Sequence, residues 1–280
     1  MVISLFLSIP GVQTSLGRTA TKELNKDFDV AIAIEKVNLS YIGNIHLQNI
    51  HIKNHHQDTL IFVKELRTSI ASYRNILANR MQFGTIALDE FTLNIHTYEG
   101  EQDDALNIFV EKFDEGKPSD EPSGFLLTAE KLELNEGYVD IRDYNKPGDK
   151  PVYFRSVTGK VDEFKLAGPD VYAKINGVSF IENHDLFIKQ FFSDFTYTLS
   201  FMNFENTVIE TETSTIQANV RFDYNRDDLR EFTDKVLLEA TIKQANLSLE
   251  DLRHFYAAFN GNDTYRFKTL LSGTLNNLKA

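Results

Sequence analysis

Residues 45–52 read Ile-His-Leu-Gln-Asn-Ile-His-Ile, and the apolar members Ile45, Leu47, Ile50 and Ile52 fall at i, i+2, i+5 and i+7. Two apolar positions alternate as on a half-buried strand, the phase slips by one residue, and two more follow. A β-bulge or tight bend at the slip would return all four side chains to one face of a sheet. The same spacing recurs at Ile86, Leu88, Phe91 and Leu93, at Ala173, Ile175, Val178 and Phe180, and at Ala240, Ile242, Ala245 and Leu247. Leu132, Leu134, Gly137 and Val139 fit with glycine in the third place. The starts at 45, 86, 132 and 173 are separated by 41, 46 and 41 residues, an interval typical of repeat architectures, although a plain β-meander also yields such matches by chance.

Working outward, Val30, Ile32 and Ile34 alternate with Ala31, Ala33 and Glu35, and Val37, Leu39 and Tyr41 continue the period of two. The body therefore reads as antiparallel strands with one very apolar face. The 22 Phe and 11 Tyr, against 0 Trp, suit such a face in a chain that is otherwise polar. Three helical inserts interrupt the strands: Ala71–Ala78, Ala105–Phe113 (Leu106, Phe109, Val110 and Phe113 on one stripe) and Leu249–Phe259 (Leu252, Tyr256 and Phe259). The last is expected to open with a capping box formed by Ser248 and Asp251. Such helices could cover an open end or edge of a sheet. The charge run 99–104 and the acidic, proline-containing stretch 114–122 read as loops.

With 280 residues and no clean linker, the chain is one large all-β unit preceded by a short leader. Lys and Arg number 29 against 41 Asp and Glu, a net charge of -12. That deficit argues against nucleic acid as a partner and against flat docking on anionic lipid. The absence of Cys removes disulfides, thiolate metal sites and Cys nucleophiles.

No constellation for catalysis emerges, and no enzyme activity or cofactor is expected. There is no nucleophile elbow, P-loop or dinucleotide fingerprint. His55, His56 and Asp58 have the residue types of a metal site, but neighbours on a strand point to opposite faces, so both imidazoles could meet one ion only from a turn. A polar hairpin turn is the plainer reading. His46 and His51 fall on the polar face, and His96, His184 and His254 stand alone. The acid pairs Asp103-Asp104 and Asp227-Asp228 lack a neighbourhood that would split their pKa values, and the second pair reads as the start of a helical turn.

Residues 1–9 are apolar and uncharged, about half the length of a membrane span, and stop at Pro10-Gly11. They read as the trailing part of a signal anchor or as a buried strand. A short helix is expected from Gln13 to Lys26, with Arg18, Lys22 and Lys26 on one side.

Ile9-Pro10-Gly11-Val12-Gln13-Thr14, Lys36-Val37-Asn38-Leu39-Ser40 and Gly43-Asn44 leading into the 45–52 stretch resemble the N-terminal region of TamB-like proteins of Bacteroidota, and more broadly AsmA-like proteins. Asp58–Val63, Asn107–Val110 and Arg221–Tyr224 fit the same likeness. The resemblance implies a mainly β fold: a long curved antiparallel sheet forming an open apolar groove with a few short covering helices. Residues 1–27 would be the remnant of an N-terminal signal anchor with a juxtamembrane helix, and 28–280 the N-terminal part of the β-groove domain. It further implies an inner-membrane anchor, a body in the periplasm of a Gram-negative bacterium, and phospholipid carried between the two membranes. A BamA/TamA-like outer-membrane barrel partner is implied through a C-terminal region that this sequence lacks.

On that reading the groove candidates are the phase-slip residues and their neighbours. They comprise Val37 and Leu39; Ile45, Leu47, Ile50 and Ile52; Ile86, Leu88, Phe91 and Leu93; Leu132, Leu134, Val139 and Ile141; Ile175, Val178 and Phe180; and Ile242 and Leu247. A lipid tail lying on such a face would gain about 0.8 kcal/mol per buried CH₂ without any specific polar contact. Roughly 14 strands at about 4.8 Å would extend the trough by around 70 Å. Other readings are a scaffold offering strand edges to unfolded barrel proteins, a propeller (disfavoured by the lack of Trp) and a β-helix lyase (disfavoured by the lack of clustered acids and bases).

Overall fold

The computed structural model of the chain describes residues 19, 21–22, 25–26, 29–39, 44–70, 80–112, 126–146, 148, 151–259 and 261–279. The expected anchor, most of the helix 13–26, the insert 71–78 and the acidic stretch 114–122 lie outside them. Among the described residues no helix is long and apolar enough to cross a membrane.

The strands are β1 (Ala31–Leu39), β2 (Asn44–Lys53), β3 (Thr59–Ile70), β4 (Arg80–Thr97), β5 (Leu126–Asp143), β6 (Val152–Ala167) and β7 (Asp170–Glu182). They continue as β8 (Phe187–Tyr197), β9 (Phe201–Glu210), β10 (Thr215–Asp223), β11 (Leu237–Ser248), β12 (Thr264–Thr274) and β13 (Asn277–Lys279). Short helices among the described residues include α1 (Ala105–Glu111), α2 (Phe232–Lys235) and α3 (Leu249–Leu252). Among the described residues the strands form one 13-stranded sheet in strict chain order, and β1 and β13 do not meet. The sheet is open, and at about 4.8 Å per strand it runs for roughly 60 Å.

Every adjacent pair is antiparallel except β4 and β5, which are parallel. The connection between them is long and contains α1, which lets the chain return to the end where β4 began. This pair also explains one sequence interval: Ile86 pairs with Leu132, Leu88 with Leu134 and Leu93 with Val139, so the 46-residue offset is the parallel register itself. Strands β2, β4, β5, β7 and β11 run in the same direction, which is why one motif reads identically along each of them.

The phase slip is a left-handed backbone residue. Asn49 (φ 52), Glu90 (φ 50), Glu136 (φ 52) and Gly177 (φ 73) each stand just before the third apolar position of β2, β4, β5 and β7. On β11 the slip is a register shift between Ile242 and Ala245. Strand β9, also co-directional, carries the motif as Met202, Phe204, Thr207 and Ile209, with Asn206 at φ 51. A left-handed residue other than glycine costs about 1–2 kcal/mol. Keeping four apolar side chains on one face offsets it.

The glycine in the β5 motif has a steric cause. A Cβ at Gly137 would lie 2.0 Å from Cζ of Phe91, so the Phe91 ring occupies the space that an apolar side chain fills on the other strands.

The helices follow their caps. Asp104 Oδ1 accepts from the backbone N–H of Leu106 and Asn107, each at 2.9 Å, and so starts α1 within the expected span. Asp228 Oδ2 likewise accepts from Asn225 N at 2.9 Å at the head of the 3₁₀ turn Arg226–Glu231, so both acid pairs include a residue used for capping. The expected helix 249–259 is one turn only. Ser248 does cap Glu250 N at 3.2 Å, but Asp251 accepts instead from Thr211 Oγ1 at 2.5 Å, so no capping box closes. The chain then folds into turns held by Arg253, which donates to the carbonyls of Phe259 and Gly261, and Tyr256 is left 67% exposed.

Candidate functional site

Residues directly opposite on neighbouring strands point to the same face. The registers therefore arrange the apolar side chains in rows across the sheet. One row is Ile34–Ile50–Val63–Phe91. A second is Val37–Leu47–Leu66–Leu88–Leu134. A third pairs Leu39 with Ile45, then runs Thr68–Ile86–Leu132–Val161–Ile175. A fourth is Ile32–Ile52–Ile61–Leu93–Val139–Phe154. The slips of β1 to β5 coincide, so the rows stay matched on both sides of them. Val157, Val161 and Val178 then form a buried cluster with Phe91, Leu134, Phe154 and Phe180 around it, carrying the face through β6 and β7.

Beyond β7 two further rows appear. Val178–Phe191–Ile209–Ile216–Ala245–Phe267 is one, and Ala173–Phe195–Phe204–Val220–Ala240–Leu271 the other. The Phe195 and Phe204 rings lie 4.9 Å apart. Phe191, Phe195 and Phe204 were not among the candidates, because the phase-slip motif does not select β8 or β10 and Thr207 masks it on β9. Strict alternation along Phe191, Ser193, Phe195 and Tyr197 is the signal that marks the two on β8.

The candidates differ in depth. Val37, Ile50, Ile86 and Val178 are buried, whereas Leu47, Leu88, Phe91, Leu132 and Ile175 are half-buried, as expected of a face open along part of its width. Ile242 pairs with Thr269 and Leu247 with Tyr265 near the far end, both half-buried. Ile141 sits at the rim beside Val152, 39% and 43% exposed.

The sheet curls. Val30, just before β1, belongs to the end of the sheet where Leu93 lies. Yet it packs with Met81, Leu127 and Leu166 as well as Phe109. Met81 and Leu93 are twelve residues apart on β4, about 40 Å along a flat strand, so bending must bring the two ends together. Helix α1 occupies the gap. Its Phe109 meets Val30, its Asn107 accepts from the Tyr197 hydroxyl of β8 at 2.5 Å, and Lys112, just after it, reaches the Asp29 carboxylate at 3.0 Å. A cavity of about 380 Å³ remains between Val30, Phe109 and the β2–β3 turn at His55.

The rim at that end is polar and tightly bonded. Tyr98, after β4, donates to Asp58 Oδ2 and accepts from Asn54 Nδ2, both at 2.7 Å. Burial, reinforced by the Asp58 carboxylate, pushes its phenol up to about 12. Asn145 ties the β5–β6 turn to the same loop through Gly100 N at 2.7 Å and Glu101 O at 2.9 Å.

The histidines are less isolated than the sequence suggested. His96 lies 3.1 Å from the buried Asp140, which also accepts from Arg142 Nε at 2.7 Å. His184 caps onto Glu182 at 2.9 Å, and His254 Nδ1 lies 2.9 Å from the carbonyl of His184. His55 and His56 do sit in a turn and do converge on a carboxylate. The carboxylate is Glu101, 46 and 45 residues on, while Asp58 is taken by Tyr98.

No protein-family model matches this chain, and no curated protein matches it. The likeness to TamB-like proteins therefore rests on the residues quoted above.

Proposed function

We propose that the apolar face is a trough for acyl chains, and that the protein is an inner-membrane-anchored, periplasmic carrier of phospholipid between the two membranes of a Gram-negative bacterium. The carrying observation is the set of matched rows, such as Val37–Leu47–Leu66–Leu88–Leu134, on one side of an open sheet. Branched aliphatic and Phe side chains give a surface without hydrogen-bonding demands, so a tail can sit at any register and slide. Headgroups stay in water at the open rim. At about 0.8 kcal/mol per CH₂, the methylenes of a whole tail together hold it in the trough, and removal of one contact at a time keeps movement from strand to strand cheap.

The test is native mass spectrometry with lipid extraction on the chain purified from bacteria. Phospholipid should accompany the wild-type protein and be lost from Leu88→Asp and Phe91→Asp variants of unchanged circular dichroism. A photocrosslinker at Leu88 should label lipid, and one at Lys64, at the kink, should not. Lipid-free wild-type protein would overturn the proposal and favour a scaffold for outer-membrane proteins, in which case the Leu88 crosslinker should capture a nascent barrel strand.

A further inference from the structure

The β2–β3 turn and the loop before α1 bring together three ligand-bearing side chains that the trough does not use. The ligand atoms of His55, His56 and Glu101 all lie within 4.8 Å of one another. His55 Nε2 is 2.8 Å from one oxygen of Glu101, and His56 Nε2 is 2.5 Å from the other. We propose that His55, His56 and Glu101 form a binding site for a divalent transition-metal ion of the zinc class, clamping the β2–β3 turn to the loop that leads into α1.

Convergence of two adjacent imidazoles needs a turn, since a strand would splay them. Residues 54–58 supply it. Asn54 Oδ1 accepts from His56 N at 2.9 Å and Asp58 N at 3.0 Å, and Gln57 is left-handed at φ 67. The rings are also held from the side. His56 lies against the Tyr98 ring at 4.0 Å and 31°, and His55 meets its edge at 5.9 Å and 83°. Tyr98 is itself fixed at its hydroxyl by Asn54 and Asp58. These neighbours do for the ligands what outer-sphere groups do in known metal sites: they set ring orientation before the ion arrives.

Two imidazole nitrogens and one carboxylate oxygen suit Zn²⁺, Co²⁺, Ni²⁺ or Cu²⁺ rather than Ca²⁺ or Mg²⁺. Metal–ligand bonds of about 2.0–2.2 Å in a tetrahedron put ligand atoms roughly 3.3–3.5 Å apart. The two nitrogen–oxygen hydrogen bonds would open by less than about 1 Å, and the remaining ligand-atom separations, all within 4.8 Å, lie within a small side-chain adjustment of that spacing. Each imidazole then offers its Nε2 lone pair and keeps its proton on Nδ1, and water completes the fourth position.

The site stands independently of what the trough carries. It is tested on the full, tag-free chain after chelator treatment, with Zn²⁺ by calorimetry and Co²⁺ by visible absorption. One ion per chain and a tetrahedral Co²⁺ spectrum are expected. Glu101→Gln and His56→Gln should each weaken binding at least about tenfold, while His46→Gln, on β2 beside Glu65, should not. Should either variant fold poorly, ring-nitrogen NMR decides: Zn²⁺ should shift the Nε2 signals of two histidines, assigned as His55 and His56 by elimination with His46→Gln, His51→Gln, His96→Gln, His184→Gln and His254→Gln controls. Binding that survives Glu101→Gln unchanged, absence of a Co²⁺ spectrum, or shifts at other histidines would overturn the proposal.

Discussion

Strands β1 to β5 and strands β7 to β10 present the same apolar face but treat its kink line in opposite ways. In the first region the kinks align in register, and the polar groups that attend them are carried by residues outside the apolar rows. Asn49 Nδ2 donates to Glu35 at 2.6 Å, and Lys64 Nζ reaches Glu90 at 2.5 Å. Large aliphatic side chains close over the line on the apolar face. In the second region the line shows on the apolar face itself. Ser193, Thr207 and Ala218 are 3%, 4% and 5% exposed between the flanking Phe rows. Ser193 Oγ meets Thr207 Oγ1 at 2.9 Å and Glu205 O at 3.2 Å. A kink releases backbone groups from the ladder, and those groups need partners. In the second region the small buried Ser193 hydroxyl takes up such a group, the Glu205 carbonyl, whereas in the first the exposed side chains at the kink pair with one another. The second region's choice puts a narrow polar seam into an otherwise apolar surface.

The largest effect should come from the strand that joins the two regions. At Gly159 (φ +151) a Cβ would lie 2.6 Å from Gly177 O and 2.6 Å from Val178 Cα, both backbone atoms. Gly159→Ala should cost about 3 kcal/mol or prevent folding, measured by urea denaturation. A neutral outcome would mean that β6 and β7 can part without disturbing either region.

Next is the seam. Ser193→Val should destabilise by about 1–3 kcal/mol, because it strands both the buried Thr207 hydroxyl and the Glu205 carbonyl, and Thr207→Val by less, because Ser193 keeps its bond to Glu205 O. The double variant should lose less than the sum of the two, since both polar partners are then gone. Additive losses would show that the hydroxyls act separately and that the seam is no unit.

Alkali should loosen the first region before the second. The Tyr98 phenol is held up to about 12, against about 10 in an unfolded chain. Its contribution is therefore complete below pH 10 and is lost as pH rises through about 12. Hydrogen exchange at residues 54–58 and 98–104 should accelerate over that window while β8 and β9 hold. Tyr98→Phe should flatten the dependence by about 1 kcal/mol, the partial exposure of the ring having been discounted. Equal loosening in both regions would contradict this.

The smallest effect belongs to the ion pair at the aligned kinks. Lys64 has its pKa raised first by its hydrogen bond to Glu90, but it is exposed. Lys64→Met should leave the denaturation midpoint unchanged, in contrast to the buried seam. A clear loss would mean that the charges, rather than the aliphatic rows, hold the kink line in register.

Much of this was legible locally. The slip at Ile45–Ile52 and its copies located left-handed residues at Asn49, Glu90, Glu136 and Gly177, because a side chain's face depends only on its own strand. The copy on β9 escaped since Thr207 replaces an apolar residue, and Phe191 and Phe195 escaped since β8 alternates without the slip. The helix after Ser248 was overextended: Arg253 bonding to the carbonyls of Phe259 and Gly261 is a competition that periodicity does not register. From sequence, His55-His56 reads as a polar hairpin turn with Asp58 as the neighbouring acid; the turn is there, but the acid that meets both imidazoles is Glu101. Asp58 is near in the chain but committed to Tyr98, whereas Glu101 arrives from the far side of β3 and β4.

By itself, then, the sequence determined the mainly β class, the single apolar face and the places where strands must kink. All three follow from steric alternation within a few residues. Only the tertiary structure decided that β4 and β5 run parallel, that the kinks of β1 to β5 fall in one line, that α1 bridges the curled ends, and that His55, His56 and Glu101 share a site. Each of those depends on which distant backbone groups pair, and strand pairing is selected by the summed fit of whole rows rather than by any residue's own preference.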